Sequence, residues 1–279
     1  MLKEKLVSYT FDLGSRFSYQ VYFFLFDKLL TVIDGWLCVE DESEFSYEQN
    51  VENGPEKWGK LKPEWKMCGK GEMQSPIDLM NERVRIVSHL GRLTRNYKPC
   101  NASLKNRGHD MMLRFEERPG SIKINGIEYQ LLQLHWHSPS EHTINGRRFA
   151  LELHMVHESI NGSMAVVTVL YKIGRSDSFL ALLENKLSAM TDQNEFNIGM
   201  IDPKEIKIGS RKYYRYVGSL TTPPCTQNIT WTVVKKVRTV ARNQVRLLRV
   251  AVHDDSNTNA RPVQPTNKRV VKLYRPRSY

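Results

Sequence analysis

Two short runs constrain the fold more than any other part of the chain: Gln133-Leu134-His135-Trp136-His137 and Glu152-Leu153-His154-Met155-Val156-His157. Both alternate with the period of a β-strand, where successive side chains leave opposite faces. Gln133, His135 and His137 therefore share one face, and Leu134 and Trp136 take the other. In the second run Glu152, His154 and Val156 share a face while His157 falls opposite. Asn145-Gly146 marks a tight reversal between the runs. Antiparallel pairing through it would bring His135, His137 and His154 to one spot. Three imidazoles with a fourth position left for water is the donor set of a catalytic zinc, so one Zn2+ per chain is expected. Gln133 and Glu152 each stand two residues before a candidate ligand on its own face. An amide or a carboxylate there can take the second ring N–H of a ligating histidine.

The rest of the chain carries the same texture. Strand patterns run over Ser121–Ile124, Glu128–Trp136, Arg148–His157, Ala165–Tyr171, Tyr213–Gly218, Thr230–Val234 and Val270–Tyr274. Further Asn-Gly reversals stand at Asn125-Gly126 and Asn161-Gly162. Only Asp177–Ala189 and Arg242–Val250 carry helical periodicity. No linker or internal repeat interrupts Phe45 to Tyr274. The pattern predicts one mainly β (α+β) domain over residues 41–279, a large twisted, mostly antiparallel central sheet with a few short peripheral helices. A hydrophobic content of 40% is enough for a core. No uninterrupted apolar run reaches the roughly 18 residues of a membrane span.

The net charge of +11 raises nucleic acid as a partner, but its distribution argues otherwise. Residues 203–279 hold 17 Lys+Arg against 3 Asp+Glu, a net +14, which leaves −3 for everything before them. These cations are interleaved with Val and Leu, as on the solvated faces of strands and a helix. Aromatic and basic residues mix closely only in Tyr213-Tyr214-Arg215-Tyr216, which alternates like a strand. No nucleic-acid partner is expected; attraction of an anionic surface or substrate remains compatible with the charge.

Residues 1–40 differ in texture, with an apolar run Tyr19–Phe26 broken by Asp27-Lys28. They read as a degenerate targeting leader or an N-terminal tail. Cys38 lies in that segment, which leaves Cys68, Cys100 and Cys225 in the domain and room for at most one internal disulfide. Sequons at Asn101, Asn161 and Asn228 point to glycosylation and the secretory pathway.

Several further stretches complete a pattern: Gly54-Pro55-Glu56-Lys57-Trp58, Gln74-Ser75-Pro76-Ile77-Asp78, Ser140-Glu141-His142-Thr143, Gly218-Ser219-Leu220-Thr221-Thr222-Pro223-Pro224 and Asn259-Ala260-Arg261-Pro262-Val263-Gln264. With the two histidine runs, and in this order, the sequence resembles an alpha-class carbonic anhydrase of the plant, secretory type. The resemblance implies a zinc lyase that interconverts CO2 and bicarbonate by attack of zinc-bound hydroxide. It makes His135, His137 and His154 the zinc ligands, with Gln133 and Glu152 behind them. Thr221 would accept from the hydroxide and pass its own proton to Glu141, with Thr222 beside it at the substrate position. Val156, Val166, Leu220 and Trp231 would form the apolar wall that receives CO2.

By the same resemblance His109 is the proton shuttle, and its Gly-His-Asp setting suits an exposed, rotatable imidazole. Tyr47 would help to order cavity water. Arg107 and Met112 depart from the animal pattern, where polar amides are familiar. Cys68 and Cys225 match the disulfide of secreted members, leaving Cys100 a free thiol, while His142 and His157 read as structural. Sulfonamides and small anions are the expected inhibitors and a monomer the expected state. The protein would lie outside the cell in the apoplast, or in the chloroplast stroma reached by the secretory route. The readings weighed against this one were a related binding or storage protein that has lost catalysis, which loss of a ligand histidine would signal, and the anion or nucleic-acid binder.

Overall fold

Alternation in the sequence becomes a sheet with two unlike faces in the computed structural model, which describes residues 44–190, 195–252 and 256–276. The segment 1–40 read as a leader or tail, with Cys38, lies outside the described residues. The strands are β1 (Asp78–Leu79), β2 (Arg85–Val87), β3 (Thr94–Tyr97), β4 (Cys100–Asn106), β5 (Met111–Phe115), β6 (Gly120–Ile124), β7 (Ile127–His137), β8 (Thr143–Ile144), β9 (Leu151–Ser159), β10 (Met164–Ile173), β11 (Glu195–Ile201), β12 (Tyr213–Ser219), β13 (Gln227–Val234), β14 (Arg238–Val240) and β15 (Lys272–Tyr274). Thirteen of them form one sheet among the described residues, its main path running β11-β4-β5-β7-β9-β10-β13-β12-β15-β2. Most pairings are antiparallel, as expected; β10–β13, β10–β14 and β15–β2 are parallel, so the sheet is mixed.

The central strands β7, β9 and β10 send Leu134, Trp136, Leu153, Met155, Val167 and Val169 into the main apolar core. Phe179, Leu180, Leu183 and Leu187 close over that core from the segment predicted as one helix, Asp177–Ala189. The structure splits this segment into Ser178–Ala181 and Glu184–Ser188. Leu182 N and Leu183 N bond to carbonyls three residues back, tightening the backbone between the two pieces. The apolar period survives the break, which is why the sequence did not reveal it. Arg242–Val250 is helical over the predicted range.

The opposite face of the same strands carries the histidines. The join between β7 and β9 is longer than a simple hairpin, so the strand predicted from Arg148 starts at Leu151. Asn145 and Gly146 do reverse the chain there, both with positive φ (51° and 74°). Beside that turn, β8 pairs with β1, and Asp78 accepts from the Thr143 hydroxyl at 2.7 Å. No helix of the described residues is long and apolar enough to cross a membrane.

Candidate metal centre

His135 on β7 stands directly opposite His154 on β9, and His137 opposite Glu152. The three imidazole centroids lie 4.6–5.0 Å apart, and all three rings are buried. One nitrogen of each ring meets an oxygen acceptor: His135 Nδ1 reaches Gln133 Oε1 (2.8 Å), His137 Nδ1 the Asn259 carbonyl (2.7 Å), and His154 Nε2 Glu152 Oε1 (2.7 Å). A neutral imidazole has a single N–H. With these acceptors taking it, the remaining nitrogens present lone pairs to a common point: Nε2 of His135, Nε2 of His137 and Nδ1 of His154. Ligand atoms of the three residues fall within 4.8 Å of one another. His137 Nε2 is buried without a hydrogen-bond partner. Such a set fits a divalent cation with nitrogen preference, the donor set of zinc.

The electrostatics favour neutral rings at two of the three positions. Burial, then the neighbouring His154 and His137, holds His135 well below the usual imidazole range, and burial with His137 lowers His154. Burial also pulls on His137, but Glu141, Asp110, the Asn259 carbonyl and Glu152 together outweigh it and raise its pKa.

Glu152 is buried and fully engaged. Besides His154, its carboxylate takes Nδ1 and the backbone N–H of His142, at 2.6 and 2.7 Å. Burial opposes its charge, yet His142 and His154 hold its pKa well below the carboxylate range. His142 Nε2 meets Tyr216 Oη (2.7 Å), which meets Ser75 Oγ (2.8 Å). In the grouping of His142, Glu152 and His154 the carboxylate is thus spent on the two histidines and His142 Nε2 on Tyr216, which leaves only His154 Nδ1 for another partner. His142 and His157 are structural, as read from the sequence: His157 lies on the opposite face, with Nε2 2.7 Å from Tyr97 Oη.

The predicted apolar wall assembles by register. Val156 pairs with Val166, and Val166 with Trp231, forming a row across β9, β10 and β13. Leu220 follows the end of β12, and all four residues are buried. The Trp231 ring lies 4.9 Å from that of His154. Thr221 and Thr222 are buried in the loop beyond Leu220.

Two expectations are corrected. Glu141 is buried and its Oε1 accepts from Arg261 N at 3.0 Å, but Oε2 has no hydrogen-bond partner, so the Thr221–Glu141 hydrogen bond is not formed. Oε2 lies instead 3.6 Å from His137 Nε2. His109 is half-buried rather than exposed. Its Nε2 lies 2.5 Å from the Phe45 carbonyl, and its ring packs against Phe45 and Tyr47 at 5.5 and 5.3 Å. Tyr47 is accordingly a buried wall beside His109.

Sequence reasoning missed the part played by Asn259. Its carbonyl orients His137, its Oδ1 accepts from Ser138 N (2.7 Å), and its Nδ2 donates to the carbonyls of Trp136 (3.0 Å) and His109 (2.9 Å). One side chain thereby ties the histidine cluster to the backbone of His109. Nearby, Arg107 and Asp110 form a buried ion pair, with Arg107 Nε 2.7 Å from Asp110 Oδ1. Cys68 and Cys225 are disulfide-bonded and Cys100 is a buried free thiol.

The model of the eukaryotic-type carbonic anhydrase family matches residues 53–275. The chain belongs to this family. Alpha carbonic anhydrase 7 of Arabidopsis thaliana is 75% identical over 240 residues, spanning 85% of this chain and 87% of its own length. Among solved structures, a dioscorin complexed with ascorbate is similar at a TM-score of 0.83 and 49% identity, covering 85% of this chain and all of its own. The alpha-carbonic anhydrase from Thermovibrio ammonificans, in complex with the inhibitor sulfanilamide, follows at 0.75 and 34%, covering 82% and 98%. The chain is thus an enzyme of carbonic anhydrase type, and CO2 hydration is the activity its family implies.

Proposed function

We propose that this carbonic anhydrase converts CO2 and water reversibly to bicarbonate and a proton with one zinc ion held by His135, His137 and His154. The observation that carries this reading is the orientation of the three rings, each outer nitrogen set against an oxygen and each inner one left to a shared point. When bound, the zinc acidifies a water to a pKa of about 7, the figure known for carbonic anhydrases themselves, and so makes hydroxide available near neutral pH.

The chain's own residues supply the rest. CO2 is apolar and offers no strong hydrogen-bond handle, so the row Val156–Val166–Trp231, with Leu220, holds it by contact next to the histidines. Thr221 orients the attacking oxygen: a hydroxyl whose proton is committed to a carboxylate can only accept. The acceptor proposed for that proton is Glu141 Oε2, which carries no hydrogen bond and has to turn from His137 toward Thr221 to take it. Thr222 adds a second hydroxyl for the bicarbonate oxygens. His109 takes the released proton and passes it to buffer, a task matched to an imidazole.

A binding or storage role without catalysis is the competing reading, and the presence of all three histidines with their outer acceptors weighs against it. Nucleic-acid binding is disfavoured because Tyr213, Tyr214, Arg215 and Tyr216 are all buried. The Cys68–Cys225 bridge and the exposed side chains of Asn101, Asn161 and Asn228 support a glycosylated protein of the secretory pathway, outside the cell or in a plastid. Metal analysis coupled to a CO2 hydration assay tests the central claim. One zinc per chain and turnover abolished by a chelator or a sulfonamide are expected. A metal-free, inactive preparation that zinc fails to restore would sink it.

A further inference from the structure

The C-terminal excess of positive charge is not absorbed by the histidine site, and part of it converges elsewhere. A cleft of about 760 Å³ is lined by Arg92, Arg95, Gly209, Arg211 and Tyr213 among others. It opens at the start of β12, whereas Thr221 follows that strand's far end. At about 3.3 Å per residue, the two regions lie roughly 20 Å apart along the strand.

The lining gathers three guanidinium groups and no carboxylate. Arg92, Arg95 and Arg211 form no ion pair among the described residues. Arg95 is fixed in place: its Nη1 donates to the Ile206 carbonyl at 2.9 Å, and its guanidinium lies 5.8 Å from the centre of the Tyr97 ring. Burial holds its pKa below the ordinary guanidinium value, Tyr97 acting against that shift and the Arg92 charge adding to it. More cations stand behind the wall. A Cβ on Gly209 would come within 3.2 Å of Lys236 Cδ and 3.3 Å of Arg238 Nη1, so the backbone there runs against both side chains, and Arg238 Nε is buried without a hydrogen-bond partner. Like charges collected around a concavity repel, and an anion in it relieves them.

We infer that this cleft is a binding site, separate from the histidine cluster, for a small organic molecule bearing two or more phosphate or carboxylate groups. The guanidinium fork matches both oxyanions in bidentate geometry. The volume falls in the range of small-molecule sites, roughly 300–1,000 Å³. The half-buried Ile208 side chain gives an organic body an apolar surface. A single monovalent anion would satisfy only one of the three arginines.

Calorimetry on the zinc-loaded protein saturated with a sulfonamide tests this, with pyrophosphate, citrate and acetate as probes. Pyrophosphate or citrate should bind once per chain and acetate should not; which of the two binds more tightly assigns the oxyanion. The double variant Arg92→Glu/Arg211→Glu, at two exposed positions, should weaken binding by at least about 10-fold, since charge pairs at a binding site act strongly. It should leave CO2 hydration unchanged. The inference is overturned if neither polyanion binds at about 1 mM. It is equally overturned if binding disappears once the sulfonamide is present, or if the double variant binds as well as the parent.

Discussion

His154 Nδ1 and His135 Nε2 lie 3.1 Å apart, although each ring already directs its other nitrogen to an oxygen, Glu152 Oε1 and Gln133 Oε1 respectively. Two lone pairs at that distance repel unless a cation lies between them. Gln133 thus does more than fill space: its amide oxygen fixes the tautomer that turns the His135 lone pair inward. Gln133→Ala releases that constraint. Zinc affinity should fall about 10- to 100-fold, as for other partners that orient metal ligands. Competition against a chromogenic chelator measures it, with unchanged circular dichroism showing that the fold persists. Affinity equal to the parent's would show that the tautomer is fixed by something else.

His109 should govern turnover when buffer is scarce. Asn259 holds its backbone carbonyl at 2.9 Å, while the ring rests on Phe45 and Tyr47. His109→Ala leaves the three ligand histidines untouched, so zinc content should stay the same. CO2 hydration in dilute buffer should drop on the order of 10²-fold, the low end for a positioned proton-transfer group. Added imidazole should restore part of it. An unchanged rate would remove His109 from the proton path.

The histidine strands were legible because a period of two is local: Gln133, His135 and His137 announce a shared face without reference to the rest of the chain. The wall row Val156–Val166–Trp231 was legible only through family resemblance, since its members come from three strands. Asn259 was not legible as the orienting partner of His137, because 122 residues separate them and an isolated Asn carries no periodic signal. Strands β4 and β5 escaped notice for a related reason. Cys100–Asn106 and Met111–Phe115 are mostly buried along their length, so their faces do not differ enough to alternate. The tether of His109 to the Phe45 carbonyl depends on a loop contact across 64 residues, which no local pattern encodes.

Stability should fall in acid because of His157. Burial lowers its pKa from 6.5 to about 3, against the pull of the Ala165 and Met155 carbonyls. The folded state therefore refuses a proton that the unfolded chain accepts below about pH 6.5. The stabilising effect is complete above that pH and declines as pH drops toward 3. Between pH 7.5 and pH 5 the loss from this one group is about 2 kcal/mol. Urea unfolding at the two pH values measures it. His157→Gln, which can still accept from the Tyr97 hydroxyl, should be less stable at pH 7.5 but have a shallower acid slope. A slope as steep as the parent's would assign the acid sensitivity to other groups.

The Cys68–Cys225 bridge spans 157 positions of sequence, and Cys225 sits just past Thr221 and Thr222 in the loop that carries them. Closing so long a loop removes much of the unfolded chain's freedom, about 5 kcal/mol by chain entropy, with measured values commonly lower. In the folded state the loop has other anchors. Arg261 Nη2 donates to the Cys68 carbonyl (2.9 Å), its Nη1 to Gln74 Oε1 and the Ser75 carbonyl (both 2.8 Å), and Gln74 Nε2 to the Cys225 carbonyl (3.2 Å). The double variant Cys68→Ser/Cys225→Ser should therefore lose about 2–5 kcal/mol of unfolding free energy while keeping its zinc. Its CO2 hydration rate at moderate temperature should stay within about twofold, because the Gln74–Cys225 contact and the loop's own bonds, Leu220 N to the Thr226 carbonyl (2.8 Å) and Cys225 N to the Thr222 carbonyl (2.9 Å), hold the loop without the bridge. Paired urea titrations and hydration assays separate the two effects. A large loss of rate in protein that is still folded would show that the bridge itself positions Thr221.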